Sequence, residues 1–239
     1  MQTILVTGAN RGIGFELARQ YLAQGAEVLA CCRDPDKAQD LVELGAHYPS
    51  LGIFKADMGD FSSLEALAQS LRSKKIDLLI NNAGSYGPKG IPEGMTYQAF
   101  GAVDYQIWTE ILRTNIQAPL RMAELFVENV AASTGKTIVM MSSELGSIAG
   151  NTSAGQSYSY RSSKAALNMV TKGLALDLAA RGIKVVAMAP GWVRTDMGGR
   201  DIAALTPMES VAGQISVLAG LQLEDSGTFL DYRGAKLPW

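Results

Sequence analysis

The chain has 239 residues, 21 Lys+Arg against 23 Asp+Glu for a formal net charge of −2, one histidine and two cysteines. The lone His47 argues against a His-rich zinc site and would have to carry any Ser-His-Asp mechanism by itself, while the adjacent Cys31 and Cys32 offer neither a spaced metal pair nor a loop-closing disulfide. A charged fraction of 18% near zero net charge argues against the basic footprint of a nucleic-acid binder, and no apolar run approaches the roughly 18 residues of a membrane span. The stretch Met1-Gln2-Thr3-Ile4 lacks the charged and apolar regions of a secretory signal, so a soluble cytoplasmic protein is expected.

Short apolar, β-branched runs alternate with helical periodicity from one end to the other, without linker, repeat or low-complexity segment. In chain order the pattern predicts strand 3–6, helix 13–23, strand 27–32, helix 35–44, strand 52–55, helix 62–72 and strand 76–80. Helix 105–130, strand 137–141, helix 159–180, strand 184–189, helix 208–220 and strand 228–230 follow. Such alternation predicts an α/β, doubly wound, seven-stranded parallel sheet with helices on both faces, and its length uses the whole chain, 1–239, as one domain. Thr206-Pro207-Met208-Glu209 reads as a capping box with proline at the first helical position, and Gly25 and Gly182 suit helix C-termini. His47, beside Tyr48 and Pro49, is expected on the surface in a loop, and the two cysteines are expected as buried strand residues. Residues 84–94 and 190–206 lack regular patterning and follow strands directly. Loops at 84–104 and 190–206 therefore leave the carboxyl ends of the sheet, where doubly wound folds bind ligands.

Four features carry chemistry. Between the first strand and first helix, Thr7-Gly8-Ala9-Asn10-Arg11-Gly12-Ile13-Gly14 lets backbone N–H groups approach a pyrophosphate at the positive helix end; Gly8, Asn10, Arg11, Gly12, Ile13 and Gly14 are the candidate contacts. At the end of the fourth strand, Asn82, Ala83 and Gly84 of Asn81-Asn82-Ala83-Gly84 suit either close approach to an adenosine ribose or a plain Asx-type turn. Tyr160 and Lys164 stand four apart on one helix face, downstream of Ser142 and Ser143. A free tyrosine titrates near pH 10, and lowering it by three units takes about 4 kcal/mol, which one ammonium about 4 Å away at an effective dielectric near 20 supplies. Spacing alone leaves open a surface tyrosine with a solvated lysine, and Tyr158 has only Ser162 at the fourth position beyond it. Lastly, Pro119 within the 105–130 helix clashes with the carbonyl of Asn115, giving either a site for an ordered water or a simple boundary between helices.

Taken in order, Thr7–Gly14, Asn81–Gly84, Asn115, Ser143, Tyr160-x3-Lys164 and Pro190-Gly191 resemble the short-chain dehydrogenase/reductase superfamily. The stretches 144–151, 160–168 and 190–199 are similar to the sniffer-like carbonyl reductases and bacterial C-factor proteins. The resemblance implies a Rossmann-type fold, with Tyr160 as general acid, Ser143 as a hydrogen-bond donor to the carbonyl oxygen, and Lys164 on the tyrosine and the nicotinamide ribose. It also implies that Asn115 holds a water, that Pro190, Gly191, Val193 and Thr195 meet the nicotinamide end, that Asp57 and Met58 meet the adenine, and that Ser142 is structural. Ser143 and Tyr160 are 17 residues apart, a spacing longer than usual in the superfamily, and the insert contains Gly146, Gly150 and Gly155.

An NAD-specific member usually has an acidic residue at the end of the second strand, where Cys32 stands here, followed by Arg33. Arg11 and Arg33 can pair with a ribose 2′-phosphate, whereas the rival Asp34 reads better, with Pro35, as a helix start. The expected cofactor is NADP(H), and the expected reaction is hydride transfer to the carbonyl of an aldehyde, ketone or quinone. The alternatives are an NAD-dependent alcohol or steroid-type dehydrogenase and a C-factor-like NADP-binding signalling protein. The expected partner is a small-molecule carbonyl substrate, without nucleic acid or membrane, and a homo-oligomer is expected through helices 105–130 and 159–180. Met197, Trp192 and the 85–105 loop are candidates for an apolar pocket, Gly198-Gly199 for a hinge, and Asn151-Thr152-Ser153 is a sequon expected to go unmodified.

Overall fold

A computed structural model describes residues 1–152 and 156–239; Ser153 of the sequon and Gly155 of the insert lie outside the described residues. Seven strands, β1 (Thr3–Thr7), β2 (Glu27–Cys32), β3 (Leu51–Lys55), β4 (Leu78–Asn81), β5 (Thr137–Met141), β6 (Lys184–Ala189) and β7 (Phe229–Asp231), form one sheet in the order β3-β2-β1-β4-β5-β6-β7, every pair parallel. Parallel strands need crossover helices, so both faces are covered and alternate side chains enter two separate cores. Ile4, Val6, Val28 and Ala30 face one core, with α1 (Gly12–Ala23), α2 (Gln39–His47) and α7 (Pro207–Gly220). Leu5, Leu29 and Leu79 face the other, with α3 (Phe61–Ser70), α5 (Ala118–Ala131) and α6 (Tyr158–Asp177). Burial on both faces is the reason the strands read as unbroken apolar runs.

The strand order reverses between β1 and β4, which opens a crevice at their carboxyl ends. Among the described residues no helix is long and apolar enough to cross a membrane. Cys31 and Cys32 are buried strand residues, as expected.

Local physics moves three predicted elements. The predicted strand 76–80 is observed as Leu78–Asn81, and just before it the Asp77 carboxylate ties neighbouring segments together by accepting from the N–H groups of Thr3 (2.9 Å) and Gly135 (3.0 Å). The predicted helix 35–44 is instead a single 3-10 turn, Pro35–Lys37, followed by α2, with exposed His47 at the end of α2 rather than in a loop. Asp34 does not cap that turn, since its carboxylate pairs with Lys37 Nζ at 2.6 Å. The predicted helix 105–130 divides into α4 (Tyr105–Leu112), a π turn (Arg113–Gln117) and α5. Ala118 N–H donates to the Arg113 carbonyl five residues back, and this wide turn absorbs Pro119, which has no N–H to give.

The capping box forms as predicted: Glu209 N–H donates to Thr206 Oγ1 at 3.2 Å and Thr206 N–H to Glu209 Oε2 at 2.9 Å. Thr206→Ala is expected to lower stability by about 1 kcal/mol. Urea unfolding checks this, and an unchanged midpoint would mean that the cap contributes nothing.

Candidate active site

The first part of the crevice is the turn from β1 into α1. Gly8 (φ +66°) and Gly12 (φ +57°) hold left-handed conformations, and a Cβ on Gly14 would run into the Gly8 carbonyl oxygen and lie 2.6 Å from Asn82 Nδ2. Asn82 fixes the turn by donating to the carbonyls of Thr7 (2.9 Å) and Gly8 (3.3 Å), and the Ala83 N–H donates to Thr7 Oγ1 at 3.0 Å. The tetrad at β4 therefore buttresses the glycine turn. No side chain caps the start of α1 and no acidic residue lies in its first turn, so its positive end and N–H groups face an unobstructed glycine surface. Those donors fit a pyrophosphate.

The 190–206 loop leans on this turn. A Cβ on Gly12 would meet Thr195 Cγ2 at 3.1 Å, and Arg11 Nη1 pairs with Asp196 Oδ2 at 3.0 Å, while Arg200 Nη2 takes Asp196 Oδ1 at 2.9 Å. Ile13, Pro190, Gly191, Val193 and Thr195 line one cleft together. Asn10 is exposed in the turn. Arg33, Asp57 and Met58 lie apart from these, beyond the carboxyl ends of β2 and β3. Arg33 is exposed, Asp57 caps its own turn through the Gly59 N–H (2.9 Å), and the Met58 side chain belongs to the core.

The second part is the start of α6. Tyr160 is 9% exposed and Lys164 3%. The Lys164 ammonium donates to the Met141 carbonyl at 2.7 Å and lies 5.6 Å from the Tyr160 ring centroid. Tyr158, by contrast, is 44% exposed and turned toward Phe100. Ser142 is tied to Asn168 Oδ1 at 2.6 Å, a structural bond, whereas Ser143 accepts from the Leu145 N–H at 3.2 Å and lines the cleft beside Tyr160. Buried Asn115 donates to Ser85 O (2.9 Å) and Ser163 Oγ (2.9 Å) and accepts from the Ser85 N–H (2.7 Å). Both side-chain amide hydrogens and the amide oxygen of Asn115 are thus engaged.

The electrostatics differ from the sequence-based expectation. Burial pushes the Tyr160 phenol up to about 12, and the neighbouring Ser143 hydroxyl opposes it only in part. Burial also lowers Lys164 to about 8. The solvent exclusion that brings the pair together therefore opposes ionisation of the phenol, because it raises one group and lowers the other.

A cleft of about 610 Å³ connects the two parts, walled by Ile91, Met95, Leu145, Trp192 and Met197. Its outer wall, 144–150, is backed by the 236–239 segment: Ser147 Oγ donates to the Pro238 carbonyl at 2.7 Å and the Ala149 N–H to the Trp239 carbonyl at 3.0 Å. Two residues here escaped the sequence reading. The Tyr86 ring packs 4.9 Å from the Tyr160 ring, and Gln98 is wholly buried against the start of α6. Both lie in an aperiodic loop, where neither spacing nor composition marks a residue. Among the described residues no cluster of potential ligands could hold a metal ion.

Lys164 binds its proton less tightly folded (about 8) than in its ordinary state (10.5). The unfolded chain therefore holds more protons between those values, and the group's cost to stability, full below about pH 8, fades as pH rises. Lys164→Met is expected to raise the stability of the ligand-free protein by about 2 kcal/mol at pH 7, with the gain shrinking toward pH 10. Denaturant unfolding across pH checks it; no gain at pH 7, or one that grows with pH, contradicts it.

Comparison with known proteins agrees with this geometry. The family described as short chain dehydrogenase matches residues 2–205. C-signal of Myxococcus xanthus is 38% identical over 176 residues, 74% of this chain and 100% of that protein. The carbonyl reductase Sniffer of D. melanogaster superposes with a TM-score of 0.89 at 33% identity, covering 100% of both chains. The NADPH-bound carbonyl reductase from chicken fatty liver gives 0.89 at 36% identity, covering 100% of this chain and 99% of that one. With the sheet order, the glycine turn and the Ser143, Tyr160 and Lys164 cluster in place, these matches identify the chain as a member of the short-chain dehydrogenase family.

Proposed function

We propose that the chain is an NADPH-dependent reductase of apolar aldehydes, ketones or quinones, acting as one dinucleotide-binding domain over 1–239 with 84–104 and 190–206 as substrate walls. The observation that carries this reading is that Tyr160 and Ser143 line one cleft with Ile13 of the glycine turn and with the apolar Ile91, Met95, Trp192 and Met197. When bound, NADPH supplies the hydride. Ser143 donates a hydrogen bond to the substrate carbonyl oxygen, and Tyr160 gives that oxygen its proton. Lys164 holds the nicotinamide ribose and adds one positive charge beside the phenol. The Asn115 main-chain carbonyl holds a water that returns a proton toward Lys164. Similarity to the NADPH-bound chicken reductase supports both cofactor and reaction.

The choice of NADPH rests on charge. Cys32 ends β2 without an acid, Lys55 pairs in register with it across β3, and the Asp34 carboxylate is neutralised by Lys37 at 2.6 Å. Exposed Arg33 can then meet a 2′-phosphate, and exposed Arg11 can do so by exchanging its Asp196 partner for it; one charge-assisted contact is worth about 1.5–3 kcal/mol. Arg33→Ala is expected to raise KM for NADPH about tenfold or more and to leave KM for NADH unchanged. Equal effects on both cofactors overturn the assignment.

The mechanism is tested by NADPH oxidation against a small carbonyl panel. Tyr160→Phe should lose at least a hundredfold in kcat while still binding NADPH. Turnover that survives in Tyr160→Phe contradicts Tyr160 as the proton donor. Similarity to C-signal favours a second reading, a nucleotide-binding signalling protein in which turnover is incidental. A wild-type protein that binds NADPH tightly and reduces none of the panel would support that reading.

A further inference from the structure

The helix that carries Tyr160 has no N-cap of its own. Ser157 precedes it in a left-handed conformation (φ +70°), its side chain accepts nothing from the helix, and its hydroxyl is instead hydrogen-bonded to the Tyr86 hydroxyl. A helix start leaves orphan N–H groups, and leaving them unmet in a buried site costs about 1–3 kcal/mol each. At α6 two of them are met from a remote loop. The Tyr158 N–H donates to the Gln98 main-chain carbonyl at 3.1 Å, and the Tyr160 N–H donates to Gln98 Oε1 at 2.9 Å.

The other end of the same side chain holds the loop. Gln98 Nε2 donates to the carbonyls of Tyr86 (2.8 Å) and Gly94 (3.2 Å), and the residue is 0% exposed. Both amide hydrogens and the amide oxygen are thus engaged, so neither a shorter nor an apolar side chain reproduces the set. Tyr86, Ile91 and Met95, on the strip of loop that Gln98 fastens, also line the cleft, and the Tyr86 ring rests on Tyr160.

We propose that Gln98 is a positioning residue for the reaction, a cap supplied in trans that fixes the backbone of Tyr160 and locks the 84–104 substrate wall and the catalytic helix into one unit. This rests on the reading of Tyr160 as proton donor. A substrate that seats against Ile91 and Met95 is thereby registered against the phenol, and the insert between Ser143 and Tyr160 is relieved of capping the helix that it leads into. Gln98 touches neither the glycine turn nor the carboxyl ends of β2 and β3, so cofactor affinity does not depend on it.

The test compares Gln98→Met, which keeps the length and loses the three side-chain hydrogen bonds while the main-chain carbonyl still accepts from Tyr158, and Gln98→Glu, which keeps an acceptor for the Tyr160 N–H, with wild type and Tyr160→Phe. Three quantities are measured: kcat and KM for a carbonyl substrate, the NADPH dissociation constant, and hydrogen exchange at the amides of 158–160. Gln98→Met is expected to lose about tenfold in kcat and the protection of the Tyr160 amide, while NADPH affinity stays within about twofold. Gln98→Glu should keep more of both. Wild-type kcat in Gln98→Met, or a loss of NADPH affinity in step with kcat, overturns the positioning role. If Gln98→Met keeps wild-type kcat while Tyr160→Phe is inactive, the function stands and this inference falls; if Tyr160→Phe is active, both fall.

Discussion

Burial of a phenol and an ammonium side by side is the constraint on which the site depends. Tyr160 and Lys164 project from one face of α6 into a space closed by Gly84, Met141 and the Tyr86 ring. Desolvation favours the neutral form of each, raising the phenol to about 12 and lowering the ammonium to about 8. In the ligand-free protein burial thus opposes the charged form of both groups. An oxidised nicotinamide, when bound beside this pair, would add a second positive charge and favour the phenolate. On this account oxidised cofactor would ease loss of the Tyr160 proton, whereas with NADPH, whose nicotinamide is neutral, burial keeps the phenol protonated and ready to donate.

The fold places that requirement at one spot. Because the strand order reverses between β1 and β4, the glycine turn and the Asn82 buttress stand next to the end of β5, from which Ser142 and Ser143 emerge. α6 crosses behind β5 and brings Tyr160 to Ser143, while Asn115, held in the π turn that Pro119 makes necessary, ties Ser85 to Ser163 one helical turn from the tyrosine. Loops 84–104 and 190–206 meet over the cleft, where the Ile91 N–H donates to the Met197 carbonyl at 3.0 Å. The Arg11–Asp196 pair closes the same loop onto the glycine turn, so a residue expected to read a phosphate also holds a substrate wall. Being solvent-exposed, that pair is a weak fastening that a phosphate can replace.

Most of the sheet was legible in the sequence for a physical reason: strands covered on both faces leave continuous apolar runs, and helices such as α7 carry their caps in consecutive residues. The motif residues were legible because glycine spacing and a Tyr-x3-Lys repeat express local geometry. Features that arise only on folding were not. Asp34 looked like a cap until Lys37 claimed its carboxylate; Gln98 meets Tyr160 across 62 positions and Arg11 meets Asp196 across 185, and no local pattern records either contact. The direction of the Tyr160 shift belongs to the same class. The four-residue spacing shows that an ammonium stands near a phenol, but only the tertiary structure shows that water has been removed from both.

The most direct test of this account is an ultraviolet difference titration of wild-type protein against Tyr160→Phe, which isolates the Tyr160 phenolate, with and without bound NADP⁺. The account predicts that without cofactor the phenolate appears only in strong alkali, near the top of the range, and that with NADP⁺ it appears several pH units lower, toward neutrality. A phenolate that already forms near neutral pH in the free protein, or a midpoint that NADP⁺ leaves in place, would contradict it.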